Sequence, residues 1–475
     1  MIATPSELST LAAGFERLRG ASRREPMWTA AQRRARLTAL ERAILRRRDA
    51  IRVALREDFG KPAIEAEVTE IVMTLAELRH ARKHVAEWMA PRRVATPPSL
   101  FGATSEIRSE PRGVVLILAP WNYPFLLALA PLIAALAAGN RALVRPSEKT
   151  PHTRAVLAAI LTDAFPADEV AFAGGEADSA AYLTTLPFDH LFFTGSTAVG
   201  GQVMAAASAT FASVTLELGG KSPAILAPDA DVARAAAKIA WGKGVNAGQT
   251  CIAPDYVLAP REHVAALAAA LGARFAAMYG ATAELRARSG DYCRIIDDAA
   301  FARITGLLDQ TLARGATLAF GGARDAATRY IEPTVVTGVE FDAPLLREEI
   351  FGPVLPIVAY DDLDAALATL RTQPKPLALY AFGSGRDALE RILALPAGGA
   401  TVNDTLLHFV SPNVPFGGVG ASGMGAYHGS SGFRALSHEK AVVRMGPVST
   451  IGALYPPFGA KARAAVAFME RVLLR

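Results

Sequence analysis

Gly113-Val114-Val115-Leu116-Ile117-Leu118-Ala119-Pro120-Trp121-Asn122-Tyr123-Pro124 is the stretch whose reading decides the fold. Val114 to Leu118 is a short, unbroken apolar run rich in β-formers, as expected of a strand buried on both faces. Pro120, Asn122 and Pro124 then break the chain, and Phe125 to Ala138 resumes as an apolar helix. Residues 113–140 carry no charge, a length that a membrane span would need. The interior breaks leave a helix too short for that role, so the segment reads as strand, turn and helix of an α/β sheet.

The same alternation continues on the C-terminal side. Strands are expected near 114–118, 141–145, 169–173, 189–193 and 213–217, with helical patterns between them, the signature of a doubly wound parallel sheet. A second alternating stretch runs from about 223 to 404. Its strands are expected near 223–226, 333–336, 354–359, 378–382 and 400–403, and its helices include 231–242, 262–278 and 361–370. Residues 28–90 read as two amphipathic helices divided near Phe59-Gly60-Lys61-Pro62, and Thr104 to Glu110 as an exposed strand, one arm of a hairpin. The expected division is a cofactor domain over 1–100 and 113–217, and a catalytic domain over 218–408. A bridging or oligomerisation element takes 101–112 and 409–445, and a tail takes 446–475.

The 475 residues are enough for a large core without staples. At 51% hydrophobic and 20% charged, the chain is not a long disordered one. The two cysteines, Cys251 and Cys293, cannot form a disulfide scaffold and suit a reducing compartment. No basic stretch leads into an apolar one at the N-terminus, so no signal peptide is expected, and the localisation expected is cytoplasmic. The formal net charge of +5 comes from 50 basic and 45 acidic residues. The densest basic stretch, Arg33 to Arg48, contains Glu41 and follows a helical pattern, which makes it a wet helix face rather than a nucleic-acid patch.

Phe193-Thr194-Gly195-Ser196-Thr197-Ala198-Val199-Gly200 follows a strand and opens a helix, a setting that suits a phosphate. Its GxxxxG spacing is not the usual dinucleotide fingerprint. Gly418 to Gly423 does match GxGxxG, but no strand enters it, and Gly220-Lys221-Ser222 lacks the earlier glycine of a phosphate loop. His80 and His84 lie one helical turn apart without an evident third ligand, so no metal site is expected. Cys251 lies in a Gly-containing loop after a helix, unusual for a core thiol. Glu217 ends an apolar strand, where perturbed carboxylates collect.

Taken together, these segments resemble the aldehyde dehydrogenase superfamily over nearly the whole chain. Pro120 to Phe125 is similar to its oxyanion motif and Phe193 to Gly200 to its cofactor loop. Glu217 to Pro223 is similar to its glutamate motif, Gly248 to Cys251 to its nucleophile motif, and Glu349 to Pro353 to its ribose-binding motif. The chain looks most like the class 3 and fatty-aldehyde branch, and within it the coniferyl aldehyde dehydrogenases, on Gln249 to Tyr256, Asn403 to His408, Pro415 to Gly429 and Leu454 to Gly459. The resemblance implies an α/β aldehyde dehydrogenase-like fold with a Rossmann-like cofactor domain, a second α/β catalytic domain and a small β oligomerisation element. Fatty-aldehyde relatives can end in an apolar anchor, but the tail from Phe468 to Arg475 is too short and too charged to span.

The resemblance also implies the chemistry. Cys251 attacks the aldehyde carbon, with Asn122 and the Cys251 N–H holding the oxyanion, and a hydride passes to NAD(P) to leave a thioester. Glu217 then activates water. Gly195, Ser196 and Gly200 fall on the cofactor loop, with Gly195 and Ser196 meeting the pyrophosphate. Glu349 binds the nicotinamide ribose, and Phe351 packs near the ring. Arg145 stands where the family usually has Lys. With Glu148 it faces the adenosine ribose: Glu148 favours NAD, and Arg145 leaves NADP open. Tyr123 and His408 are pocket candidates, and Cys293 falls in a loop without a catalytic role. The expected partners are a small-molecule aldehyde and a second copy in a homodimer, with no nucleic acid and no membrane anchor. An enzyme passing its thioester to coenzyme A, and a non-catalytic protein on the same fold, are rivals that Glu217, Cys251 and Asn122 argue against.

Overall fold

The computed structural model describes residues 4–174, 177–447 and 451–473. Residues 1–3 of the N-terminus and 448–450 and 474–475 of the tail lie outside the described residues. One sheet is built from Val114–Leu118, Arg141–Arg145, Val170–Phe172, His190–Gly195 and Ser213–Leu218, all parallel. Its spatial order is 213–218, 190–195, 114–118, 141–145, 170–172, with Gly423–Met424 added antiparallel beside 213–218. Chain direction across the sheet reverses between 114–118 and 190–195. A crevice opens outside the C-terminal strand ends at such a point. Asn122, Gly195 and Glu217 all sit at those ends.

Every residue of Val114–Leu118 is buried, and so is every residue of helix Leu126–Ala138. The start of this helix is held by Glu70, whose Oε2 accepts the N–H groups of Phe125 and Leu126 at 3.0 Å each. The Lys61 ammonium, fully buried, pairs with Glu70 Oε1 at 2.6 Å and removes the cost of a lone buried charge.

The second sheet runs 317–320, 334–337, 354–360, 256–260, 223–226, 378–382, 399–402, parallel except at its 317–320 edge. The sequence reading left Tyr256–Pro260 unassigned, yet it is the middle strand and entirely buried. Pro254 and Pro260 bracket it and mimic a loop, although a proline is tolerated at a strand end.

Two helical expectations also change. Pro5–Arg24 is a helix that the sequence reading did not assign. Thr4 and Glu7 form its capping box, and Phe15 packs on Phe188 with ring centroids 4.6 Å apart. Residues 28–90 hold more than two helices: Ala30–Arg46 and Arg48–Phe59 turn at Arg47, and Met73–Trp88 follows a π-helical stretch at Glu67–Val72. No Gly or Pro marks the Arg47 turn. It brings Ile51, Leu55 and Phe59 into the core.

A third sheet joins Arg92–Val94, Ala103–Pro111 and Ser437–Met445. Thr104 to Glu110 was expected as an exposed arm, but Ala103–Pro111 is the middle strand, paired over Ser105–Ile107 on both sides. Ser437–Met445 forms the long outer edge. Among the described residues, no helix is long and apolar enough to cross a membrane.

Candidate active site

Helix Val232–Gly244 delivers the chain to a turn in which Asn246 (φ 54°), Ala247 (φ 49°) and Gly248 (φ 71°) are all left-handed. That conformation costs an ordinary L-residue roughly 1–2 kcal/mol. At Gly248 a side chain has no room, since a Cβ there would lie 2.3 Å from the Gly352 carbonyl oxygen. The turn delivers Thr250 and Cys251 into a pocket that Glu217 enters from the end of its strand. Val68, Met73, Leu126, Trp241, Phe409 and Tyr427 contribute apolar walls.

Both carboxylate oxygens of Glu217 are buried without a hydrogen-bond partner among the described residues. Burial accordingly holds this carboxyl well above its usual range. Burial also pushes the Cys251 thiol up, helped by the charges of Glu349 and Glu217. Both shifts favour the neutral forms, and the carboxylate, once ionised, is a strong proton acceptor. Asn122 is buried, and its Nδ2 donates to the Gln249 carbonyl at 3.2 Å, two residues before Cys251. The segment after the strand and the Cys251 loop are thereby tied together.

On the other side of Cys251 the groups are paired. Glu349 covers Gly219, where a Cβ would lie 2.0 Å from Glu349 Oε2, and its carboxylate accepts the Gly220 N–H. Burial and the nearby Asp255 charge raise it to about 8. Lys221 pairs with Asp255 and donates to the carbonyls of Leu345 and Glu348 (2.8 and 3.0 Å), while Asp255 Oδ1 accepts the Ile350 N–H at 3.0 Å. Gly220-Lys221-Ser222 thus positions the Glu349 loop. Phe351 holds a left-handed φ of 49°, and its ring meets Trp121 edge-on at 5.3 Å.

The other expected cofactor residues divide into three kinds. Ser196 caps helix Thr197–Ser208, its Oγ accepting the Val199 N–H, and residues 196–199 are exposed. Beside Gly195, this leaves an open helix start at the sheet's switch point, which fits a pyrophosphate. Gly200 is buried instead: a Cβ there would lie 2.6 Å from Leu218 Cδ2, so its small size lets the helix close on the sheet. Arg145, buried, pairs with Glu148 at 2.8 Å.

Of the two pocket candidates, Tyr123 lines the pocket and shares a 2.7 Å hydrogen bond with the Thr250 hydroxyl. His408 does not line it. Its Nδ1 meets Thr401 Oγ1 at 2.9 Å and its ring stacks on Phe416, while Leu406, Phe409 and Val410 from the same turn form the wall. The short helix Leu407–Val410 rotates His408 away from its neighbours on either side. Gly423, from the rejected GxGxxG stretch, pairs directly with Glu217. His84 Nδ1 meets Glu87 at 3.1 Å, and both His80 and His84 pack on Trp88.

Sequence reasoning missed Tyr427, Asn246 and Lys243. Tyr427 faces the pocket from a Gly-rich segment without strand or helix period. Lys243 is buried beside this centre, and its Nζ has no hydrogen-bond partner among the described residues. Burial lowers it to about 8.

The aldehyde dehydrogenase family pattern matches residues 16–442. A Staphylococcus aureus protein named 4,4'-diaponeurosporen-aldehyde dehydrogenase is 42% identical over 439 residues, covering 92% of this chain and 94% of that one. A Pseudomonas aeruginosa protein named probable coniferyl aldehyde dehydrogenase is 41% identical, covering 95% and 94%. A substrate-bound structure of Staphylococcus aureus AldH superposes with a TM-score of 0.92 at 40% identity, covering 96% of this chain and 99% of that one. The match over most of the chain, on a fold with a thiol and a carboxylate in one pocket, places this protein in the aldehyde dehydrogenase family as an NAD(P)-dependent oxidoreductase.

Proposed function

We propose that this enzyme oxidises an uncharged, apolar aldehyde of the coniferaldehyde-like aromatic or medium-chain type to the carboxylic acid. The observation that carries this reading is the pocket itself, in which Cys251 and the unpaired carboxylate of Glu217 share one space with apolar walls. An apolar wall has nothing to pair with a charged substrate. The Pseudomonas aeruginosa relative is named for coniferyl aldehyde and the Staphylococcus aureus relative for 4,4'-diaponeurosporen-aldehyde, which supports the coniferaldehyde-like reading.

Glu217, once it has given its own proton to solvent, takes the Cys251 proton, and the thiolate attacks the carbonyl carbon. The Asn122 amide and the Cys251 N–H stabilise the oxyanion of the thiohemiacetal, charge that exists only as the reaction proceeds. The 195–196 turn and Glu349 would hold a dinucleotide by its pyrophosphate and its nicotinamide ribose, and that cofactor would supply the hydride acceptor. Glu217 then releases that proton to solvent and deprotonates the water that hydrolyses the thioester, which frees the acid product and returns the Cys251 sulfur. The residues fit NAD in particular, because Glu148 already occupies Arg145 and a ribose 2′-hydroxyl needs no cation. NADP use is the second reading, carried by the same buried guanidinium.

The purified protein with coniferaldehyde and a medium-chain aldehyde, each with NAD and NADP, tests this. Reduced cofactor formed fastest from coniferaldehyde and NAD is the expected result, and no turnover with any pairing overturns the reading. A faster aliphatic or NADP reaction moves the protein to the broader class 3 type. We further propose a homodimer joined through the Ser437–Met445 edge, a long strand that pairs on one side only. Sedimentation at the monomer mass overturns that. The two free thiols fit a cytoplasmic setting.

A further inference from the structure

We infer that Asn246, its amide oriented by the carbonyls of Asn122 and Gln249 with the Cys293 thiol beside its oxygen, is the positioning residue that sets the oxyanion donors against Cys251. The inference rests on the catalytic reading above. Asn246 is fully buried, and its polar atoms are used on both sides of the nucleophile turn. Its peptide N–H donates to Glu65 Oε1 at 2.9 Å. Its carbonyl accepts the Gln249 peptide N–H and the Gln249 side-chain amide, each at 3.0 Å. The side-chain Nδ2 donates to the Asn122 and Gln249 carbonyls, each at 2.9 Å.

This one amide therefore clamps two backbone segments, the turn after strand Val114–Leu118 and the loop leading into Cys251. Each segment carries one of the two oxyanion donors. The Asn122 side chain is anchored on the same Gln249 carbonyl at 3.2 Å, which uses one of its two N–H bonds and leaves the other for the substrate.

The clamp works in one orientation only. Both Nδ2 hydrogens go to carbonyls, and a flipped amide would set Oδ1 against two carbonyl oxygens. Cys293 Sγ lies 4.0 Å from Oδ1 and supplies a weak S–H donor to that face. Burial keeps this thiol protonated, its ionisation pushed well above the usual range. The backbone adds a second demand on the residue. Asn246 is left-handed at φ 54°, ψ 26°, a region that Asn tolerates better than most L-residues. Asp would keep that conformation and lose the donors; Gly would keep it and lose the clamp.

The test is a set of variants in the full enzyme: Asn246→Gly, Asn246→Asp, Cys293→Ala and Cys293→Ser. Three readouts are followed: kcat against KM for the aldehyde, alkylation of Cys251 by iodoacetamide, and Tm. A misplacement of the donors of about 1 Å is expected to lower kcat about 100-fold in Asn246→Gly, and further in Asn246→Asp. KM and the alkylation rate should stay within about twofold, because neither depends on oxyanion stabilisation. Cys293→Ala should lower kcat by a smaller factor, and Cys293→Ser, which restores a donor, should recover it. The inference is overturned by kcat within twofold of wild type in Asn246→Gly. Parallel collapse of kcat, alkylation and Tm also overturns it, since that marks a purely structural residue. Failure of Cys293→Ser to exceed Cys293→Ala removes Cys293 from the clamp. Absence of turnover in the wild type sinks the catalytic reading first and the inference with it.

Discussion

On the substrate side of Cys251, Glu217 has both oxygens buried and unpaired among the described residues, within apolar walls. On the cofactor side, the charged groups largely have partners. Lys221 holds Asp255, Asp255 holds the Ile350 N–H, Glu349 accepts the Gly220 N–H, and Glu148 holds Arg145. An unpaired buried carboxyl weakens the fold, so its place is where basicity is used. A paired group has less basicity to offer but keeps its position, which is what a bound dinucleotide requires of its holders. Among the described residues, a carboxyl is thus left unpaired on one face, while ion pairs fix the geometry on the other.

Five variants would break or sharpen that contrast. Cys251→Ala should remove turnover by roughly 10⁴-fold or more, and Asn122→Ala by roughly 10²–10³, both in steady-state assays. Normal turnover in either variant would remove that residue from the reactive face. Glu217→Gln should lower kcat by roughly 10²–10⁴ and change stability in the opposite sense. The folded-state carboxyl is raised, so the native chain keeps a proton that the unfolded chain releases above the usual carboxylate range. Wild-type stability from this group is then lost as pH rises, whereas the amide has no proton to lose. The Tm advantage of Glu217→Gln should grow between pH 5 and pH 8, and a gap independent of pH would contradict an unpaired carboxyl.

On the cofactor face, Glu148→Gln removes the carboxylate that pairs with Arg145. It should shift the NADP-to-NAD ratio of kcat/KM upward by about tenfold, near 1.4 kcal/mol. An unchanged ratio would mean that the ion pair does not reach the adenosine ribose. Gly200→Ala is expected to have the smallest effect on turnover. Crowding against Leu218 should cost about 1–3 kcal/mol in thermal unfolding while kcat stays near wild type. A large loss of kcat at unchanged Tm would return Gly200 to the cofactor contact assigned by sequence.

Local signals carried much of this molecule. The apolar run at Val114–Leu118, with Pro120 and Pro124 after it, specified a buried strand and its exit turn without any tertiary information. Cys251 and Glu217 stood out because a thiol in a Gly-containing loop and an acid at a buried strand end are poor choices for a core. Tyr256–Pro260 was hidden because flanking prolines resemble a loop at short range, and only neighbouring strands on both sides made it a sheet centre. His408 was misplaced because pocket exposure depends on the rotation of one short helical turn, which no period in so few residues reveals.

By itself, then, the sequence determined the α/β class and the family, and it pointed to Cys251, Glu217 and Asn122 as candidates, because each of these readings depends on residue type and local order. Tertiary structure alone decided which groups have partners. It left Glu217 without a hydrogen-bond partner among the described residues, and it brought Asn246 against Asn122, 124 residues away. Protonation and donor placement follow from what lies within a few ångströms, and that proximity comes from chain segments far apart in sequence.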